Sequence, residues 1–377
     1  MEEAKAGSGT RREASYVRRT AHIESQAVLS DVHTTTGARA LDTPVPVRFV
    51  HNDRYGAQEA IADDDFDALL AARDDIRASF SENGDLAWTV QTWCRLRDQG
   101  VGGIELATEP AAGRINLAKS KTLSRRGADP SLFYVSIQAD YPRILWAQFH
   151  IQQNADLLCE DSGLSHHWPQ AGLVPRDSSR KGVERVGYLG NLTGNLAGSA
   201  EEWSSRLSAE GLDFVAREPE RWHDFSDIDV AIGLRSFGNR RHSRKPPSKL
   251  FNAWIAGVPF IAGSESAFAQ VGTAGIDHLV AHTQDEAVAQ IARLRNDSGL
   301  YADIVAAGHK KAQQFSFARI ASQWVDLLEG PVAARYREWA AYPGREKRRT
   351  IALSAAQGTI DLGKFMGRKL LGREVEA

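Results

Sequence analysis

Short apolar segments alternate with amphipathic helical stretches, and this alternation runs twice along the chain, breaking near residues 175–183. In the first run, strands are expected at 46–51, 103–108, 114–118, 132–137 and 144–151. Helices are expected at 64–79, with Phe66, Leu69, Leu70 and Ile76 inward, and at 86–98, with Leu86, Val90, Trp93, Cys94 and Leu96 inward. Gly100 suits a helix stop. In the second run, strands are expected at 185–189, 212–216, 228–234 and 260–262, and helices at 201–210, 248–256, 285–295 and 300–315. This order of elements specifies an α/β fold with a mainly parallel sheet in each half.

A length of 377 residues allows each half its own core. The organisation expected is a flexible leader at 1–45, an N-terminal domain at 46–175, a C-terminal domain at 183–330 and a basic helical tail at 331–377. His166 to Lys181, with Pro169, Gly172 and Pro175, reads as the interdomain linker. The tail holds ten Lys or Arg against five Asp or Glu and ends in an amphipathic stretch. It is read as a helix packing back on the domains over 331–342, with peripheral contact to anionic lipid open to the remainder. The net charge of -2 offers no general attraction to nucleic acid, so an anion site must come from local clustering. Two cysteines, Cys94 and Cys159, form no disulfide framework and read as buried apolar residues in a cytoplasmic protein. No apolar run reaches membrane-spanning length, and the N-terminal segment lacks a signal-peptide core.

The chemistry concentrates in Arg235 to Lys249, which carries six Lys or Arg and no carboxylate. The stretch joins an expected strand to a helix that starts near Ser248. In open α/β sheets, ligands bind outside the carboxyl ends of the strands, and a helix N-terminus there offers N–H groups to an anion. A lysine in the first helical turn is unfavourable unless an anion compensates it, so Lys249 and Arg235 point to a bound diphosphate. Arg240, Arg241 and Arg244 read as solvated. Gly190-Asn-Leu-Thr-Gly194 follows the first strand of the second half, where glycine permits close ligand approach. Ser264, Glu265 and Ser266 fall at the same sheet edge, after Gly257 and Pro259 have closed one element and opened the next.

Lys245-Pro-Pro-Ser-Lys-Leu-Phe-Asn-Ala-Trp-Ile-Ala-Gly-Val-Pro259, followed by Gly263-Ser-Glu-Ser-Ala267, resembles the donor-binding segment of GT-B glycosyltransferases near family 4. The likeness is to a bacterial branch with K-P-x-S-K-L-x-N-A-W-x-A-G-x-P, and it runs from about 168 to 328. The resemblance implies two Rossmann-like domains facing across a cleft. It implies a nucleotide-diphospho-sugar co-substrate in the C-terminal domain, a saccharide or lipid-linked acceptor in the N-terminal domain, and neither a metal nor another cofactor. It implies a role in cell-surface polysaccharide or glycoconjugate synthesis. By position it makes Lys249 and Ser248 phosphate contacts, with Arg235 and Lys245 in the same basic loop. It sets Glu265 and Ser266 in the turn that meets the sugar or nucleotide, and Gly190 and Asn191 across the cleft. Retaining members of the family usually carry glutamate where this chain has Asn252, and often where it has Arg244.

An inverting transfer also needs a base from the N-terminal half. Asp53, Asp140, His150 and His51 are the candidates, because each lies at or near the end of an expected strand. His150 reads equally as a core histidine. No His or Cys cluster has metal-ligand spacing. Two other readings fit the same donor segment: a GT-B sugar-nucleotide epimerase and a catalytically inactive GT-B binding module.

Overall fold

A computed structural model describes residues 32–35, 37–52, 59–60 and 65–370. Its first half contains β1 (Val32–Thr34), β2 (Arg39–Ala40), β3 (Val47–Val50), β4 (Val101–Gly102), β5 (Ile104–Ala107), β6 (Ile115–Lys119), β7 (Phe133–Ile137), β8 (Phe149–Gln152) and β9 (Ser162–Leu164). Seven of these form one sheet in the order β1-β5-β3-β6-β7-β8-β9. Its pairs are parallel except β1, which runs antiparallel to β5. The small β2–β4 pair stands apart. Strands β3 and β7 are buried along their whole length, and the charged residue inside β3, Arg48, is paired with Glu105 at 2.7 Å. Phe49, Leu117 and Val135 pack into the core that holds Phe66 and Trp93, whereas Val50, Ala118 and Tyr134 pack with Leu123 and Trp146.

The second half contains β10 (Arg185–Leu189), β11 (Asp213–Arg217), β12 (Val230–Gly233), β13 (Phe260–Ala262) and β14 (Leu279–Val280). They form a parallel sheet in the order β11-β10-β12-β13-β14. Tyr188, Trp203, Ile232, Ile261 and Ile291 share one core, and Phe251, Trp254 and Phe260 belong to another. Helix ends here follow local chemistry. Ser199 and Glu202 form a capping box, while Thr283 and Asp297 cap the next two long helices. The helix Ser248–Ala256 stops at Gly257 in the left-handed region (φ 71°). The expected α/β class, with two Rossmann-like domains facing across a cleft, is the architecture seen.

Several local expectations are corrected. Residues 32–34 and 39–40 of the expected leader are strands, while 1–31 lie outside the described residues. The single helix expected at 64–79 is two, Phe66–Ala72 and Asp74–Glu82, separated by the extended Arg73. Asp74 and Asp75 occupy the first turn of the second helix, where carboxylates favour a new start. Cys159 is exposed, although Cys94 is buried. The linker is well packed: Trp168 is fully buried, and its Nε1 donates to Thr92 Oγ1 at 2.9 Å.

The chain recrosses after the second domain. The helix Phe317–Leu327 lies against the first domain, with the Arg95 guanidinium 3.8 Å from the Phe317 ring centre. The helices Ala333–Ala341 and Pro343–Leu370 follow. Tyr336 and Trp339 contact Phe133, Thr350 accepts from Gln148 at 3.0 Å, and Gln357 accepts from the Leu145 N–H at 3.0 Å. Packing therefore extends past 342, to Gln357. Among the described residues no helix is long and apolar enough to cross a membrane.

Candidate active site

Both sheets are doubly wound. In each, strand order reverses between the first and third parallel strands, and ligands of such sheets bind beyond the carboxyl ends at that reversal. In the second domain the reversal lies between β10 and β12, whose ends lead into Gly190 and Arg235. In the first it lies between β3 and β6, whose ends lead into Asn52 and Lys119–Ser120. A cleft of about 350 Å³ runs between the domains at these ends. Glu82, Trp88, Lys119, Asp140, His167 and Gln170 line one wall. Gly190, Asn191, Arg235, Lys245, Ser248, Lys249 and Asn252 line the other.

The second wall is built for an anion. The helix Ser248–Ala256 starts at Pro247 with no side-chain cap and no acidic residue in its first turn. Leu250 and Phe251 N–H groups bond to the Pro247 carbonyl at 2.9 and 3.2 Å. The Ser248 and Lys249 N–H groups have no acceptor among the described residues. Lys249 is partly buried, its ammonium 4.3 Å from the Tyr188 ring centre and donating to the Leu189 carbonyl. Burial, then the Arg235 charge, hold its pKa well below the ordinary lysine value. A Cβ on Gly190 would fall 1.9 Å from Lys249 Nζ, so the lysine occupies space that only glycine leaves. The Tyr188 hydroxyl lies 2.9 and 2.7 Å from the Asn191 and Asn195 carbonyls and braces the turn.

Other expected residues fall around this centre. Arg235 pairs with Glu265 at 3.0 Å, and both are buried. Glu265 sits behind Arg235 rather than in the cleft lining; it orients the guanidinium. Asn252 accepts from the Gln170 N–H at 3.0 Å across the domain boundary. Ser266 is 2% exposed and bonds to Asn154 at 3.0 Å. It belongs to an interdomain clasp in which Asn154 also donates to the Lys245 carbonyl, and Arg241 pairs with Asp156 at 2.9 Å. Arg241 therefore joins the domains, beyond the solvated role expected of it.

On the first wall, Asp140 pairs with Lys245 at 3.0 Å. Burial raises its pKa, but Lys245 and Lys119 outweigh this and hold the carboxyl below its ordinary value. Ala139 before it has φ 50°, a left-handed conformation that costs a non-glycine residue about 1 kcal/mol or more. His150 is corrected: it lies in the middle of β8 with 0% exposure, away from the cleft lining. Burial pushes its pKa down to about 3. His51 is buried too and does not line the cleft. Asp53 lies outside the described residues.

Sequence reasoning missed Lys119 and His167. Lys119 ends β6, but the expected strand stopped one residue earlier and the helix Ser120–Arg126 was not anticipated. Its basic, hydroxyl-rich sequence has no apolar stripe. His167 read as linker. Its Nδ1 bonds to the Trp168 carbonyl, its ring packs on Trp88 with centres 3.8 Å apart, and burial pushes its pKa down to about 4. Among the described residues no group of three or more His, Cys, Asp or Glu is placed to hold a metal ion.

Residues 180–326 match the family described as glycosyl transferase-like. The matched span holds the whole second sheet and the Ser248–Ala256 helix. No curated protein matches the chain. Among solved structures, TarM is similar at 8% identity and TM-score 0.42 over 58% of this chain and 55% of that one. Anabaena HepE in complex with UDP and glucose is similar at 14% identity and TM-score 0.38, over 49% and 63%. The pneumococcal O-GlcNAc transferase GtfA in complex with UDP and GlcNAc is similar at 13% identity and TM-score 0.39, over 58% and 57%. The match thus spans little more than half the length of these proteins.

Proposed function

We propose that this chain is a glycosyltransferase of hexosyl type that moves a sugar from a nucleotide-diphospho-sugar to a saccharide or lipid-linked acceptor. The observation that carries this reading is Lys249. It is an ammonium with no carboxylate partner among the described residues, held at an uncapped helix N-terminus, over a glycine, at the strand reversal of the second sheet. Such an arrangement is unfavourable when empty and favourable around a diphosphate. The glycosyl transferase-like match covers this same wall.

The chemistry follows from charge. Breaking the bond between the anomeric carbon and the diphosphate leaves negative charge on the leaving oxygen. Lys249, Arg235 and the helix N–H groups neutralise it, so the route needs no metal ion. Asp140 faces them from the acceptor wall and, kept ionised by Lys245, is the carboxylate to receive the acceptor hydroxyl's proton. We further propose a role in cell-surface polysaccharide or glycoconjugate synthesis at the cytoplasmic face of a membrane. Ile351, Leu362, Phe365 and Met366 are exposed on the last helix, which also carries Lys347, Arg348 and Lys364, a composition that suits an anionic lipid surface.

Incubation with a panel of nucleotide sugars tests the reading. Slow release of nucleoside diphosphate that an acceptor accelerates is expected. Lys249→Ala should lose nucleoside diphosphate binding by about a hundredfold while the melting temperature holds. A chain that no nucleoside diphosphate stabilises thermally would contradict the proposal.

A further inference from the structure

The first domain carries a pocket of its own at its strand reversal, contiguous with the cleft. It measures about 470 Å³ and is lined by Asn52, Gly84, Asp85, Lys119, Lys121, Thr122 and Arg125, among others. Glu82, Gly84 and Lys119 line both this pocket and the cleft, so the two open into each other. The Lys119 ammonium lies directly over Gly84, where a Cβ would fall 2.1 Å away. This repeats the relation of Lys249 to Gly190 in the other domain.

Among the described residues the pocket carries three cationic side chains, Lys119, Lys121 and Arg125, against two carboxylates, Glu82 and Asp85. Lys119, Lys121 and Arg125 make no ion pair or side-chain hydrogen bond among the described residues. Asp85 is already engaged, accepting from the Asn52 N–H at 2.6 Å and from the Thr122 hydroxyl at 2.8 Å, and so braces the pocket wall. Glu82 is exposed at the rim. Three cations against two carboxylates, one of them at the rim, leave a positive excess at a strand reversal, which favours an anion with several oxygens.

We infer that this pocket binds a phosphate ester, and that Lys119 stands between it and the diphosphate wall formed by Lys249. Under the transferase reading, on which only the word acceptor rests, the acceptor is a phosphorylated molecule. Its phosphate is held by Lys121 and Arg125 while its hydroxyl reaches the cleft. The ester is either soluble, as in a sugar phosphate, or lipid-linked.

Calorimetric titration of the full chain, with and without saturating UDP, tests this. The probes are glucose 6-phosphate, a short-chain polyprenyl phosphate in neutral detergent, and glucose as the uncharged control. At least one phosphate probe should bind in the presence of UDP, and glucose should bind at least about tenfold more weakly. Stronger binding of the polyprenyl phosphate marks a lipid-linked ester, and stronger binding of glucose 6-phosphate a soluble one. The paired change Lys121→Glu and Arg125→Glu, both at exposed positions, should weaken that probe by about tenfold or more and leave UDP affinity unchanged. If UDP fails to bind but the phosphate probe responds to the paired change, the donor reading falls and this site stands. Failure of both phosphate probes to bind, or binding that the paired change leaves untouched, overturns the inference.

Discussion

Lys249 sets the behaviour of the donor wall. Its depressed pKa means that the folded, empty protein gives up a proton which the unfolded chain keeps up to the ordinary lysine value of 10.5. Stability of the empty protein therefore rises with pH through that interval, since the unfolded state binds more protons there. A bound diphosphate reverses the preference and restores the charge. Calorimetry of nucleoside diphosphate binding at about pH 9, in buffers of different ionisation enthalpy, should report net proton uptake; no buffer dependence would count against a direct phosphate contact. Gly190 gives a second prediction. A Cβ there meets the end of Lys249, and Gly190 has φ 158°, which residues with a side chain rarely adopt, so Gly190→Ala should weaken nucleoside diphosphate binding by about tenfold and lower the melting temperature as well. The charged side of this site was legible from residue type alone: six basic residues without a carboxylate, ending on a helix start. His150 misled because its place near a strand end resembles that of a catalytic histidine. Burial, which decides the matter, depends on a sheet partner distant in sequence.

At the scale of elements, the helix Ser248–Ala256 couples fold to function. Its outer end lacks the side-chain caps that close the helices starting after Ser199, Thr283, Asp297 and Ser316. Ser248→Asp should place a favourable charge at the helix dipole, stabilising the helix by about 0.5 kcal/mol. The same carboxylate should repel a diphosphate and weaken nucleoside diphosphate binding by about tenfold or more, as titration calorimetry would show; unchanged affinity would remove the helix end from the site. Elements with strong periodicity were readable in advance. Ser248–Ala256 and Phe260–Ala262 fall where an apolar run ends at Gly257 and resumes after Pro259. Ser120–Arg126, Ser266–Val271, β9 and β14 escaped because they have two to seven residues and little apolar pattern, so tertiary packing rather than local sequence defines them; Phe317–Leu327 escaped although Ile320, Ala321, Trp324 and Val325 give it a buried stripe.

For the whole molecule, the order of elements determines two doubly wound sheets, and the chain joins them twice, through 165–184 and again before Phe317–Leu327. The returning helices are joined to each other by a buried ion pair, Arg335 with Glu346 at 2.7 Å (9% and 2% exposed), and strap the first domain where Arg335 and Arg349 reach Asp161 at 3.4 and 3.1 Å. Removing Glu346 leaves the buried Arg335 with Asp161 and Glu338 as its remaining partners, so Glu346→Ala should destabilise the protein by about 2 kcal/mol in denaturant unfolding; a change near zero would mean that this pair does not hold the two returning helices together. The basic composition of 331–377 was visible in the sequence, but the strap was not, because its partners Asp161, Gln148 and Leu145 lie far back in the chain. With the domains held so, the two strand reversals face each other across the cleft, and the account stands on what that cleft holds. The most direct test is a structure of the full chain with a nucleoside diphosphate bound. The account predicts the diphosphate against the first turn of Ser248–Ala256, its oxygens within hydrogen-bond reach of Lys249 Nζ and the Ser248 and Lys249 N–H groups, and Gly190 alongside. A diphosphate bound elsewhere, with Lys249 still turned to the Leu189 carbonyl, would contradict it.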